Sequence, residues 1–276
     1  MVKVITDSTS DLPPDLAQRL GIIVIPVTLV IDGQPYRDGV DITREEFYTR
    51  LPQLKIVPTT AAPPSTDFEA VYRECGDVDI VSIHISSTFS GTLNVARVAA
   101  EASGRRVTLI DSRQASMALG WQAVAAAEVA ARGGSVDQVV AAAASAQKRI
   151  HLWALLDTLE YLRRGGRANA VTAAIGGFLQ IKPLIHVVDG AVTSLARIRT
   201  HSRGVDELVN TIEQLGPLER LAIIHTNCLD EARRLAQRLA HCLQPIASPA
   251  VIVDATAVVG TQVGPGTVGV AAVSAT

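Results

Sequence analysis

Short β-branched runs that each stop at a cluster of small polar residues constrain this chain more than any other feature. Lys3–Thr6 runs into Asp7-Ser8-Thr9, Val78–Ile85 into Ser86-Ser87, and Val107–Asp111 into Ser112; a further run spans Ile22–Ile31. Among and after them lie patterns of helical period at Pro13–Leu20, Thr43–Leu51, Thr66–Cys75, Gly91–Ala102 and Gln114–Arg132. Strands that alternate with helices of this length call for crossover connections and a mainly parallel sheet. Ligands of such open sheets bind beyond the carboxyl ends of the strands. The polar clusters, with Asp7, Ser8 and Ser112 among them, are therefore expected on one ligand rim.

The texture changes after a second Ala-rich helix, Val136–Lys148. A strand is expected at His151–Leu155, then a Gly-rich stretch from Gly165-Gly166-Arg167 to Gly176-Gly177. Ile181–Val188 and Val192–Ile198 flank Asp189-Gly190, and an Asp-Gly between apolar runs is a strong hairpin signal. Strands near Leu221–His225 and Ala250–Val253 bracket a helix at Leu229–Cys242, and a last strand falls near Thr267–Val273. The fold class that follows is α/β with two domains. Residues 1–150 form an N-terminal domain with a Rossmann-like parallel sheet and flanking helices; residues 151–276 form a C-terminal mixed α/β domain.

Composition narrows the function. Hydrophobic residues make up 48% of the 276 positions but aromatic residues only 4%, so any pocket is walled by Ala, Val, Leu and Ile and is poorly suited to stacking a ring. The formal net charge is −2, and no long basic run offers an electrostatic case for nucleic acid. Cys75, Cys228 and Cys242 are widely spaced and read as small core residues of a reducing compartment. The six histidines stand singly, so no metal is expected. An acidic residue at position 7 comes too early for a secretory signal, and Pro26 interrupts the run Ile22–Ile31, which leaves no membrane-spanning segment. The expectation is a cytoplasmic protein.

Three segments invite a chemical reading. Ser86-Ser87-Thr88-Phe89-Ser90-Gly91-Thr92 lies between a strand and a helix, so Ser90 or a neighbour caps the helix while the amides of Gly91, Thr92 and Leu93 point outward. A helix start with free amides and hydroxyls suits an anion; ordinary capping explains the same serine equally simply. Thr59-Thr60-Ala61-Ala62-Pro63-Pro64-Ser65 reads as a rigid loop, either a plain connection or a means of fixing Thr59 and Thr60 in one pose. Gly264-Pro265-Gly266-Thr267-Val268-Gly269 matches the dinucleotide pattern formally, but only seven residues follow it, too few for the helix that would hold a pyrophosphate. It reads instead as a tight turn that lets backbone approach closely. No Gly-Lys occurs in the chain, which removes a phosphate-binding loop, and no Gly-x-Ser-x-Gly elbow is present. Arg163-Arg164-Gly165-Gly166-Arg167 and Arg197-Ile198-Arg199 are short basic clusters on a solvated face or a docking patch.

Taken in order, these segments resemble the DegV family of fatty-acid-binding proteins, which includes the acyl-carrying subunit of bacterial fatty acid kinase. The resemblance spans nearly the whole chain. It rests on Thr6-Asp7-Ser8-Thr9 with Asp11-Leu12-Pro13, Asp38-Gly39, Thr60, Ser86-Ser87 with Ser90-Gly91-Thr92, and Asp111-Ser112. Tyr161-Leu162, Gly165-Gly166-Arg167, Ile181-Lys182-Pro183, Asp189-Gly190, Arg199-Thr200 and Gly264-Pro265-Gly266 complete it.

The resemblance implies a fatty acid, such as palmitate, in a tunnel between two domains, with Thr60 and Ser90 holding its carboxylate and Gly91 and Thr92 offering amides. It implies no cofactor, and a kinase partner that phosphorylates the held acid for lipid metabolism, with Arg167 and Arg199 as candidate docking residues. The chain itself is expected to be a carrier and not an enzyme; the alternative is a hydrolase using Ser90 with His84 or His225 as base. Two positions depart from the family pattern. Ala61 and Ala62 replace a Ser and a Gln, and Gln262 stands where a His is usual, an amide that donates a hydrogen bond but carries no positive charge.

Overall fold

The computed structural model of the chain describes residues 1–166 and 181–275. The first sheet is built from β1 (Val2–Asp7), β2 (Ile23–Ile25), β6 (Asp79–His84) and β7 (Val107–Asp111), in the order β2-β1-β6-β7 with every pair parallel. Helices α1 (Pro14–Leu20), α3 (Ser65–Glu74) and α4 (Thr92–Ser103) lie on its crossovers. Ile22–Ile31 is two strands and not one. Pro26 has no amide for the ladder, and beyond it the chain leaves the first sheet to form β3 (Thr28–Ile31). This strand pairs antiparallel with β4 (Gln34–Arg37) and β5 (Thr59–Ala61) in a small separate sheet. Thr59 and Thr60 therefore sit on a strand, with Thr60 opposite Leu29, and not in a loop. Helix α2 (Arg44–Arg50) follows β4 and starts with a capping box of Thr43 and Glu46.

The second half supplies a six-stranded sheet in the order β10-β9-β8-β13-β11-β12. Its strands are β8 (Ile150–Leu155), β9 (Lys182–Val188), β10 (Ala191–Ile198), β11 (Leu218–His225), β12 (Val251–Asp254) and β13 (Val268–Ser274). Only β11 and β12 run parallel, so the sheet is mixed. The expected hairpin is β9–β10, turning at Asp189-Gly190. Helices α7 (Glu160–Arg164), α8 (His201–Glu213), α9 (Leu229–Leu239) and α10 (Ala257–Val263) belong to this half.

Helix α5 (Ser116–Ala131) explains how the two sheets share one core. Apart from Gln122 and Glu128 its residues from Met117 to Ala131 are apolar or glycine on every side, as suits a helix packed from several directions. Met117, Leu119, Ala123 and Val124 are buried in one cluster with Val81 and Ile83 of the first sheet and Leu152 and Ala271 of the second. Trp121 donates from Nε1 to the carbonyl of Ala271 at 3.1 Å. Helix α6 (Val136–Arg149), capped by Ser135 and Gln138, packs beside it. A smaller cluster joins Leu29, Ile31, Phe47 and Tyr48 of the small-sheet unit to Ala257 and Val258 of α10. That helix thus leaves its own sheet to pack against the small one.

Candidate functional site

A cavity of about 200 Å³ lies where the six-stranded sheet, α10, the small sheet and the β6–α4 connection meet. That is many times the space one trapped water needs. One row of neighbouring positions crosses four strands of its floor: Ile185 on β9, Ala154 on β8, Gly269 on β13 and Ile224 on β11. The two middle positions carry almost no side chain, which leaves a trough between two isoleucines. Leu152, Val187 and Val192 continue the wall one row along. Among the described residues Phe89 is the only aromatic one in the lining.

The polar lining includes Thr60, Ser90, Gly91 and Gln262, which three different elements bring together. Gln262, near the end of α10, donates from Nε2 to Thr60 Oγ1 at 3.2 Å. Its Oε1 is buried with no hydrogen-bond partner among the described residues. Helix α4 begins at Thr92 with Gly91 as its N-cap, so Ser90 stands one residue ahead of the cap. Ser90 Oγ accepts from the Thr92 amide at 3.2 Å and pairs with the Thr92 hydroxyl at 2.8 Å. One of the three amides expected to point outward is therefore already occupied, and Thr92 itself is fully buried and stands behind the lining.

The rim residues fall differently. Asp7, Ser8 and Ser112 are buried and do not line the cavity; Thr9 does. A buried carboxylate has to be satisfied from within the protein. Asp7 accepts from the amides of Thr9 (3.0 Å) and Ile85 (3.1 Å) and from His84 Nδ1 (2.9 Å). Ser112 bonds to Gln114 in both directions at 3.1 Å. These groups knit strand ends together. Arg199 is exposed, and Arg167 lies outside the described residues.

His84 has the partners of a catalytic base without the access. Its Nε2 meets Ser82 Oγ at 2.7 Å, and Tyr72 closes the chain with a 3.0 Å bond to Ser82. The whole row from Asp7 to Tyr72 has essentially no solvent exposure. His225 turns instead to Asp254, 3.2 Å away. Neither histidine is hydrogen-bonded to Ser90, so the hydrolase alternative loses its base. His151 and His186 do come together, stacked with Trp153 on the face of the six-stranded sheet away from the cavity. Burial pushes His186 down to about 4. Among the described residues no cluster could hold a metal ion, and no helix is long and apolar enough to cross a membrane.

Sequence reasoning missed α10 and what holds it. Ser8 Oγ donates to Asp38 Oδ2 at 2.7 Å and accepts from the Val27 amide at 3.1 Å. Asp38 Oδ1 accepts from the amide of Ala257 at 3.2 Å, and Asp11 Oδ1 from that of Thr256 at 2.7 Å. Ser116 donates to the other oxygen of Asp11. A seven-residue helix shows no readable period; the only available signal was the pair of aspartates in Asp11-Leu12-Pro13 and Asp38-Gly39.

A model described as an uncharacterised protein of the DegV family matches residues 1–275. The chain belongs to the DegV family. A DegV domain-containing protein of Streptomyces coelicolor is 36% identical over 275 residues, 98% of this chain and 97% of its own length. One from Mycobacterium tuberculosis is 35% identical over 279 residues, covering 98% and 96%. Among solved structures, a fatty-acid-binding DegV family protein from Thermus thermophilus superposes with a TM-score of 0.90 at 32% identity, covering 99% of both chains. DegV from Bacillus subtilis, a fatty acid binding protein, gives 0.87 at 28% identity over 99% and 98%. The α/β architecture of three sheets is thus the DegV fold.

Proposed function

We propose that this chain binds one long-chain fatty acid in the cavity and holds its carboxylate at Thr60, Ser90, Gly91 and Gln262. The observation that carries this reading is the lining itself: an aliphatic trough in the same cavity as hydroxyls and an amide drawn from three separate elements. The fatty-acid-binding relatives at 32% and 28% identity support the ligand class. Burying about 14 methylenes at ~0.8 kcal/mol each yields on the order of 11 kcal/mol before association costs, so the tail supplies the affinity. A buried carboxylate with no donor would cost several kcal/mol, so the head group fixes direction.

The same inventory supports a carrier role. No nucleotide loop is present in the sequence, and among the described residues neither His84 nor His225 is hydrogen-bonded to Ser90. A separate kinase would convert the presented carboxylate to an acyl phosphate, docking near the exposed Arg199. Native mass spectrometry of protein purified without added lipid tests the ligand: a mass shift matching a fatty acid is expected, and a ligand-free spectrum with no uptake of palmitate would overturn it. Incubation with ATP and palmitate tests the carrier role, since ATP turnover by the protein alone would make it an enzyme.

A further inference from the structure

Helix α10 presents Gln262 near one end and is held at the other by two buried carboxylates from the opposite half of the chain. Asp11 takes the amide of Thr256 and Asp38 that of Ala257, the N-cap and first residue of the helix. Free amides at a helix start carry partial positive charge, so two carboxylates there are an effective clamp. Asp11 lies just past the short turn Ser8–Ser10 that follows β1, and Asp38 directly follows β4. Ser8 ties the second acid to the first segment. Tyr48 reaches over from α2 and donates to the carbonyl of Ala255 at 3.0 Å. Arg44 donates to the carbonyl of Asp254. The flank of α10 is pressed so closely on Tyr48 that a Cβ at position 260 would lie 2.3 Å from the Tyr48 hydroxyl oxygen.

We propose that Asp11 and Asp38 are positioning residues for the head-group end of the cavity, fixing the start of α10 so that the Gln262 amide is delivered onto Thr60. The inference rests on the fatty-acid reading for its purpose but not for its geometry. A helix of seven residues has little rigidity of its own. Its direction is set by what holds its ends, and here one end is held by acids on the first half of the chain. The clamp also serves the rest of the cavity: Thr9, Val27 and Ser116 of the lining are each within two residues of a group in it or belong to it.

A double-mutant cycle separates positioning from general support. Dissociation constants for palmitate are measured for the wild type, Asp38→Ala, Gln262→Ala and the double variant. Asp38→Ala is expected to weaken binding roughly tenfold, about 1.4 kcal/mol, and to have almost no further effect once Gln262 is Ala. Asp38→Asn keeps an acceptor for the Ala257 amide and is expected to restore near wild-type affinity. Should Asp38→Ala fail to fold, Asp38→Thr takes its place, since its hydroxyl stops short of Ala257. Equal losses in both backgrounds would overturn the proposal. A second readout needs no ligand: the side-chain amide resonances of Gln262 in ¹⁵N-labelled protein are expected to be sharp and exchange-protected in the wild type and Asp38→Asn, and averaged in Asp38→Ala. Unchanged resonances in Asp38→Ala would also overturn it. If the wild type takes up no palmitate, the functional reading fails, while the amide signal still decides the positioning.

Discussion

Gly190 stands over Ser86 so closely that a Cβ on it would lie 2.5 Å from Ser86 Oγ. The tip of the β9–β10 hairpin is thereby latched to the connection that carries Ser90. Thr88 donates to the carbonyl of Gly190, whose amide donates to the Arg113 carbonyl at 2.9 Å. Its φ of +76° adds a second reason for glycine. Because the hairpin arms contribute Ile185, Val187 and Val192 to the cavity, the latch holds a wall in place. Gly190→Ala is expected to lower stability by about 1–2 kcal/mol and to speed release of bound fatty acid. Thermal unfolding and stopped-flow transfer to vesicles check the two effects; release at the wild-type rate would show that the latch does not guard the cavity.

At the head group, Thr60→Val and Ser90→Ala each remove a donor to an ion, an interaction of roughly 1.5–3 kcal/mol. Each is expected to raise the dissociation constant for palmitate by about tenfold to a hundredfold. Circular dichroism should stay unchanged, because Thr60 and Ser90 are only half-buried. Affinity equal to the wild type in both variants would place the carboxylate elsewhere.

The departure at Gln262 makes a signed expectation. A neutral amide gives a head-group affinity with little dependence on pH from this residue. Gln262→His introduces a side chain that ionises near ~6.5. The variant is expected to bind palmitate progressively more tightly than the wild type as pH falls through that value, as titrations from about pH 8 to about pH 5.5 would show. A constant ratio of the two affinities across that range would mean the imidazole does not meet the carboxylate.

Much of this was legible before any coordinates. Strand ends, crossover helices and the Asp-Gly hairpin all have local signals, so β1, β6, β7 and β9–β10 lie within a residue or two of their expected places, whereas β2 stops at Ile25, six residues short of the expected run. What was illegible was long-range. Nothing near Asp7 in sequence says that His84 will consume its lone pairs, so a polar strand end that looked like a ligand rim is an internal knot. Thr59–Ala61 is too short for a strand pattern and becomes one only because β3 lies beside it. The trough exists because Ala154 and Gly269 are neighbours across strands more than a hundred residues apart in sequence, and single-sequence periodicity carries no such register.

Asp38 links the clamp to pH. Burial, with the nearby charge of Asp11 adding to it and Ser8, Arg44 and the Ala257 amide opposing it, pushes its carboxyl up to about 6 from the usual 3.8. Between those values the folded protein binds a proton that the unfolded chain has released. The stability from this group is therefore full below ~3.8 and is lost as pH rises through about 6. Asp11 is pushed in the same direction, chiefly by burial. In Asp38→Asn this contribution is absent, so the melting temperature of the wild type is expected to fall relative to the variant between about pH 4.5 and about pH 7. A difference that does not change with pH would show that Asp38 stays ionised throughout.

The trough in the cavity floor bears on ligand length. Ala154 faces the cavity with Gly269 beside it and Ile185 and Ile224 outside, so the space above these two small residues is the natural path for an unbranched chain. A leucine at 154 would project into open space and not into packed core, which avoids the 1–3 kcal/mol typical of overpacking. Ala154→Leu should therefore keep the wild-type melting temperature. It should, however, shift the fatty acids that copurify with the protein toward shorter chains, because each methylene excluded from the trough forfeits about 0.8 kcal/mol of burial. Native mass spectrometry of the two proteins expressed side by side reads the chain lengths directly. Identical ligand distributions would mean that the tail runs along another wall, and would leave the alanine–glycine pair as a packing feature of the sheet alone.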